Sequence, residues 1–451
     1  MPAPIDSVTA LLMHDGELFL ALRHPALQTF AGHQAFPGGK VDPEDTDGAA
    51  FEHPVFDGID ARLARALCRE LKEELDFDLV QFADEGGVRS ISACGHALTP
   101  MHIPRRFNTH FFAVHLERRP DFVLHQPEAI SSKWASAQDW LSEFERGQFI
   151  IAPPTIASIR ALARDPQCGH MGNLVAVAPE GQLMAIESVA GLIQIPVRSH
   201  TLPPAEHTNC YVTGELPGQR LAIDPSPCDD AELDRLSATL LAQGVNALLI
   251  THHHPDHHER ADALARRHGW PILMSARTAQ RIRDRKGAAF FEGIELQLVG
   301  EGDGVASWHE EPIRVLEIPG HDDGQIALMT SQRTWCIVGD LIQGIGTVVI
   351  AKPEGDMRQY FDSMQRIIDL APLSIFPSHG QGLGGTFRLE ETLRHRKLRE
   401  EHILRLHREG NSVQQMLDAI YVGVDPRLLP LARKNIESHL EKLEAEGLLS
   451  G

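Results

Sequence analysis

Residues 251–258 read Thr-His-His-His-Pro-Asp-His-His, and they follow the apolar run Ala247 to Ile250 directly. That run has the length and composition of a short buried strand. A strand that ends in so many imidazoles and a carboxylate restricts what the chain around it can become. Inside the stretch lies the frame His-x-His-x-Asp-His, filled by His252, His254, Asp256 and His257. Imidazole nitrogen and carboxylate oxygen are the ligand types that suit zinc and similar first-row divalent ions. In a tight loop the spacing can aim His252 and His254 at one ion, and Asp256 and His257 at a second. The alternative is a solvated histidine cluster at the surface. The density of ligand types immediately after a strand favours metal. His253 and His258 fall off the frame and read as spacers or as supports behind the ligands.

Further candidates stand downstream in similar settings. His321 closes Ile318-Pro319-Gly320 after the strand-like Ile313 to Ile318. Asp340 ends Cys336-Ile337-Val338-Gly339, and His379 follows Phe376-Pro377-Ser378. Taken with the histidine loop, these positions in this order resemble the ligand signature of the metallo-beta-lactamase superfamily. The resemblance implies an αββα sandwich with metals at one edge. His252, His254 and His321 would bind one ion, Asp256, His257 and His379 the other, and Asp340 would bridge. Two ions about 3.5–4 Å apart can share a hydroxide and clamp an ester or phosphodiester. Zn²⁺ is the first expectation, with Mn²⁺ or Fe also compatible with such an N/O site. Asp256 would have a second, catalytic role in orienting the hydroxide. Thr208-Asn209-Cys210-Tyr211-Val212 resembles the family's entry strand. Asp224, after Leu221-Ala222-Ile223, matches its strand-end aspartate, which would hydrogen-bond a ligand or the loop backbone; a plain turn carboxylate is the alternative.

The front of the chain carries a different pattern. Apolar runs at 8–13 and 18–22 flank Asp15-Gly16, a hairpin signal. From Ala61 to Leu75 the period is helical, with Leu63, Ala66, Leu67, Leu71 and Leu75 on one side and Glu70, Glu73 and Glu74 on the other. Like charges at offsets of three and four repel unless a cation sits among them, and Mg²⁺ favours carboxylate oxygens. A solvated acidic face paired with Arg69 and Lys72 is the competing reading. Pro37-Gly38-Gly39-Lys40 followed by Arg69-Glu70-Leu71-Lys72-Glu73-Glu74 resembles the Nudix box, and Arg23-His24-Pro25 with Ala31-Gly32-His33-Gln34-Ala35-Phe36 resembles its coenzyme A diphosphatase branch.

That resemblance implies an α/β/α sandwich and a Mg²⁺- or Mn²⁺-dependent hydrolase of a diphosphate-linked compound. Glu70, Glu73 and Glu74 would hold the metal, Glu73 or Glu74 would orient water, and Arg69 would brace the helix. The pattern departs from the family in three places. Asp45 replaces the usual glutamate, Thr46 to Asp60 reads as an inserted loop, and Asp76 stands where a helix-ending glycine is usual. A non-catalytic module that binds a nucleotide or a coenzyme A derivative is the alternative for this part.

Val88 to Leu98, Thr109 to His115 and Phe122 to Leu124 read as strands, and Trp134 with Asp139-Trp140-Leu141 as a short closing helix. A helix is expected over Ile156 to Ala163, then a boundary at the Arg164 to Gly169 turn. Beyond Phe387 the sequence turns helical and locally basic, with acidic residues interleaved. Leu393, His395, Arg396, Arg399, Glu400, Ile403 and Leu404, with Asn435, His439, Leu440, Lys442, Leu443, Glu446 and Gly447, resemble the winged-helix extension of the beta-lactamase-like single-strand endoribonuclease branch. The fold class is therefore α/β. Its expected parts are a Nudix-like domain at 1–168, a metallo-beta-lactamase domain at 169–386 and a winged-helix-like, helical domain at 387–451.

The expected substrates are single-stranded RNA or, alternatively, a thioester or lactone of the glyoxalase II type. A length of 451 residues accommodates about three domains of roughly 150 each. A net charge of -20 argues against a nucleic-acid surface spread over the whole molecule, though a local basic patch is compatible with it. The six cysteines, scattered and without a Cys-x-x-Cys pair, suit free thiols in a reducing compartment. No signal peptide and no apolar run near the ~20 residues of a membrane span is evident, so cytoplasm is the expectation.

Overall fold

A computed structural model describes residues 3–46, 53–100 and 105–449. The chain divides into two compact units, 1–178 with 186–190, and 179–185 with 191–451. No helix among the described residues is long and apolar enough to cross a membrane. The six cysteines are unpaired, and Cys94, Cys210, Cys228 and Cys336 are buried as small apolar groups.

In the first unit, strands Ile5–His14 and Glu17–Arg23 form the expected hairpin. Asp15 and Gly16 both take positive φ, 47° and 80°, as the tight turn between twisted strands requires. Ile5–His14 runs parallel to Phe107–Leu116, which pairs antiparallel with Val88–Leu98. Successive residues of a strand face opposite sides, and here both sides are apolar because both are covered. Val8, Ala10 and Leu12 meet Leu63, Leu67 and Leu71 of helix Ala61–Leu75. Leu11, Leu18 and Leu20 meet helices Ala137–Glu145 and Pro153–Arg164 on the other side. The result is an α/β/α sandwich.

Three expectations change here. Residues 122–124 are irregular rather than a strand, with Phe122 packed edge-on to Phe19 and Phe77. Ala129–Ser136, not foreseen, is the strand that pairs with Glu17–Arg23. Trp134 lies on that strand and not on the closing helix, where Trp140 is buried. Of the inserted loop, residues 47–52 lie outside the described residues, while Pro54–Phe56 is a short 3-10 turn that buries Phe56. Strand Gly172–Asn173 still belongs to this sheet, beyond the turn at 164–169.

The second unit has two sheets. In one, Leu192–Arg198, His207–Thr213, Leu221–Ile223, Ala247–Leu249, Ile272–Met274 and Leu296–Leu298 lie side by side in that order, parallel from Leu221–Ile223 onward. In the other the order is Gly304–Trp308, Glu311–Glu317, Ile326–Thr330, Cys336–Gly339, Ser374–Pro377 and Leu383–Gly384. Helices Asp230–Ala242, Ala261–His268 and Ala276–Lys286 bury apolar residues against the first sheet. Met357–Leu370 and the start of Phe387–Arg408 do the same for the second. The Tyr211 ring meets Phe376 edge-on, and its hydroxyl donates to the Pro377 carbonyl, tying one sheet to the other. This is the αββα arrangement. Helices Val413–Ile420 and Leu429–Ala445 pack with Phe387–Arg408 around Ile403, Met416, Leu417, Ile436 and Leu443. Among the described residues no strand follows Gly384, so the C-terminal part is helical throughout.

Candidate metal centre

The ligand candidates all follow strand ends on one edge of the second unit. Asp224 comes after Leu221–Ile223, the histidine loop after Ala247–Leu249, and His321 after Glu311–Glu317. Asp340 and His379 come after Cys336–Gly339 and Ser374–Pro377. Strands packed from both sides cannot move, so side chains just past their ends are held in place.

The structure brings all seven candidates together, as two groups that share one carboxylate. Nε2 of His252 and Nε2 of His321 each lie 2.9 Å from Nδ1 of His254. Nε2 of His257 and of His379 lie 3.8 and 3.6 Å from the two oxygens of Asp256. Asp340 stands between the groups. Its Oδ1 is 3.7 Å from His257 and 3.5 Å from His379, and its Oδ2 is 3.7 Å from His321. These side chains form ligand-like clusters with their donor atoms within 4.8 Å of one another.

Polar groups stand at the back of each ring. Nδ1 of His257 faces the Asp224 carboxylate at 2.9 Å, that of His321 the Val349 carbonyl at 2.9 Å, and that of His379 the His207 carbonyl at 2.9 Å. Nδ1 of His252 lies 3.0 Å from Thr251 Oγ1, whose own proton goes to Asp224. His254 turns Nε2 toward Glu354 at 3.8 Å. An acceptor behind four of the rings, those of His252, His257, His321 and His379, can take an N–H there and turn the other nitrogen inward, while Glu354 faces His254 from beyond hydrogen-bond distance. Five ring nitrogens and an ionised carboxylate therefore converge in a largely buried space. Nε2 of His257, Nε2 of His379 and Oδ1 of Asp340 are buried without a hydrogen-bond partner. Buried polar atoms without partners cost about 1–3 kcal/mol each. A pair of divalent cations would satisfy all of them, so the residues present fit such ions.

The charges agree. Burial works against the Asp340 carboxylate, but the His379 and His257 rings hold it well below the usual carboxylate range. Burial, reinforced by the neighbouring His254 ring, pushes His321 down to about 4, so it is neutral at pH 7. Burial likewise opposes a charge on His257, yet Asp256, Asp224 and Asp340 around it pull its value upward. A proton drawn into such a place is one that a bound cation displaces.

Asp224 does what its position suggested. It is buried with φ +54°, and it accepts from the Thr251 amide, the Thr251 hydroxyl and His257. Asn209 donates to the Pro377 and Gly380 carbonyls and so pins the loop that carries His379. Off the frame, His253 pairs with Asp322, and His258 bonds the His253 carbonyl. Glu354, Asp322 and the carbonyls of Val349 and His207 were not foreseen. Carbonyls carry no sequence signal, and neither acid stands in a motif.

In the first unit, Arg69 takes the bracing role. It donates to Asp45, Glu70, Glu73 and the Lys40 carbonyl. Asp45, the replacement for the usual glutamate, is 4% exposed and also caps the Asp42 amide. Glu74 accepts from the Gly38 amide, and the Glu70 carboxylate lies against Gly39, where a Cβ would come within 2.4 Å. Burial pushes Glu70 up to about 7 and Glu74 up to about 8. Glu73 stays exposed. Glu70 and Glu74 thus sit together under the Gly-Gly turn, while Glu73 is exposed and paired with the largely buried Arg69.

Residues 203–379 match the pattern of the Metallo-beta-lactamase superfamily, and 412–450 that of the Beta-lactamase associated winged helix domain. The second unit is a metallo-beta-lactamase hydrolase domain with its His/Asp metal site intact, extended by that winged-helix domain. The chain is 34% identical over 142 residues to the Beta-lactamase-like protein 2 homolog of Drosophila melanogaster, covering 30% of this chain and 47% of that one. It is 29% identical over 164 residues to a Hydroxyacylglutathione hydrolase of Bdellovibrio bacteriovorus, covering 36% and 59%. The chain thus spans about half the length of these curated relatives. The N-terminal region is similar to a NUDIX hydrolase structure from Alicyclobacillus acidocaldarius, with 24% identity, a TM-score of 0.31, and 37% of this chain and 94% of that one covered.

Proposed function

We propose that the second unit hydrolyses phosphodiester bonds of single-stranded RNA with two divalent cations, Zn²⁺ first and Mn²⁺ or Fe as alternatives. The observation that carries the reading is the convergence of five inward-facing histidine ring nitrogens on either side of Asp340. His252, His254 and His321 would hold one cation and Asp256, His257 and His379 the other. Bound there, such a pair acidifies water and polarises the bond to be cut. The chain's own contribution is to exclude solvent and hold orientation. His252, His257 and His379 are wholly buried. Asp256 and His254 are the more open members, with side chains 16% and 24% exposed. Substrate enters on that side, and Asp256 is placed to take a proton there. The winged-helix match at 412–450 supports a nucleic-acid substrate.

A second reading is favoured by the relatives named Hydroxyacylglutathione hydrolase, namely cleavage of a thioester. One experiment separates the two. The full chain with Zn²⁺ or Mn²⁺ is given a labelled single-stranded oligoribonucleotide and, separately, an acyl thioester with a thiol indicator. Strand cleavage abolished in His254→Ala is the expected result. Thiol release alone selects the second reading, and turnover of neither rejects both.

For the first unit the proposal is a Mg²⁺-dependent diphosphatase acting on a nucleotide or coenzyme A derivative. Support comes from Glu70 and Glu74 beneath the Gly38-Gly39 turn, two buried carboxylates raised together by burial. The test is release of products from a panel of diphosphate-linked compounds with Mg²⁺. Activity should vanish in Glu74→Gln and survive His254→Ala. A panel without turnover but with saturable binding would make this unit a binding module.

A further inference from the structure

Between Asp340 and helix Met357–Leu370 the chain runs without regular structure, yet Val348 and Ile350 are buried. A buried backbone outside a helix or sheet must find hydrogen-bond partners elsewhere. Here side chains of the C-terminal helices supply them. Asn435 Oδ1 accepts from the Ile350 amide at 2.9 Å, and Ser438 Oγ donates to the Ile350 carbonyl at 2.7 Å. Asn435 and Ser438 are each 4% exposed and sit one helical turn apart on Leu429–Ala445. Arg396, buried on Phe387–Arg408, donates to the Val348 carbonyl, and its guanidinium lies over the Tyr360 ring. Both neighbours of Val349 are therefore gripped from the C-terminal helices. The residue between them points its carbonyl at Nδ1 of His321, 2.9 Å away. The same segment carries Glu354, which faces Nε2 of His254.

The two halves of the centre differ in this respect. The acceptors behind His257 and His379 are Asp224 and the His207 carbonyl, both on or next to strands of the first sheet. Neither depends on segment 348–350.

We infer that the C-terminal helices clamp segment 348–350, and that Asn435, Ser438 and Arg396 are positioning residues for the ion held by His252, His254 and His321, acting through the Val349 carbonyl. This rests on the two-cation reading given above. The winged-helix extension is on this account part of the metal centre as well as a candidate substrate contact. Loosening the clamp frees the His321 ring to turn, which weakens one ion and spares the other. Partners behind metal-binding histidines are worth about 10–100-fold in affinity.

The test uses the full chain and measures Zn²⁺ bound per chain against a buffered Zn²⁺ series, with circular dichroism as the check on folding. In Asn435→Leu, one of the two ions should bind about 10–100-fold more weakly and the other within about twofold of wild type. Asn435→Asp keeps an acceptor for the Ile350 amide and should recover most of the loss. Ser438→Ala removes a single bond and should show a smaller shift of the same ion; it decides the matter if Asn435→Leu does not fold. Both ions unchanged in folded variants, or both weakened equally, overturns the clamp. His321→Ala is the reference. If it leaves Zn²⁺ stoichiometry as in wild type, the two-cation reading itself is wrong, whatever the clamp variants do.

Discussion

The histidine centre of the second unit and the acidic helix face of the first both gather charge-bearing groups beneath a sharp turn, but they satisfy those groups differently. Around Asp340, ring nitrogens and carboxylate oxygens face one another with acceptors behind the rings of His257 and His379, and three buried atoms are left without a partner. On helix Ala61–Leu75, Arg69 already lies against Asp45, Glu70 and Glu73, and the Gly38 amide answers Glu74. The first arrangement leaves buried polar atoms unsatisfied, as fits a site for cations. The second is a nearly closed network in which a cation would add to what the guanidinium already does. Motif density alone does not reveal this difference; it depends on what stands behind each ligand.

The largest effect expected from breaking that contrast is in Asp340→Ala. It removes the one group that faces both sides, so bound metal should fall and hydrolysis drop by at least a thousandfold, about 4 kcal/mol in the barrier. Retained turnover would mean that the two groups work independently. Next comes Asp224→Asn, which weakens the acceptor behind His257 and the hold on Thr251. Metal affinity should fall about 10–100-fold while the protein stays folded, as read by metal titration.

The third test concerns the first unit. Glu70 and Glu74 have values raised to about 7 and about 8, above the ordinary 4.5 of a glutamate. A raised acid binds its proton more tightly in the fold than in the unfolded chain. Stability should therefore be fully present below about pH 4.5 and decline as pH rises toward 8. In Mg²⁺-free buffer the melting temperature of this unit should drop across that window, and the slope should flatten in Glu74→Gln. Added Mg²⁺ at pH 8 should restore wild type but not the variant. No response to Mg²⁺ would leave these carboxylates a structural pair. The smallest effect is at Asp76, which ends its helix at φ +50° and pairs with exposed Lys72. Asp76→Gly relieves the left-handed strain and loses only a surface ion pair, so a gain below about 1 kcal/mol is expected from denaturant unfolding.

Much of this was legible in the chain. The helix over 61–75 and the 15–16 turn follow from periodicity and turn chemistry, and the candidate metal ligands from residue types placed after apolar runs. Phe122 was misread because an aromatic, apolar triplet satisfies the strand pattern whether or not a partner strand is present. Ala129–Ser136 escaped because its serines and lysine form a half-exposed sheet face with weak alternation.

What the sequence determined by itself is the inventory and order of donors, since ligand chemistry belongs to side chains and each follows a recognisable strand. What only the tertiary structure decided is which nitrogen of each histidine is free. For His257, His321 and His379 that is set by a carboxylate and two carbonyls remote in the chain, at Asp224, Val349 and His207. A backbone carbonyl is the same group at every residue, so only folding can single one out.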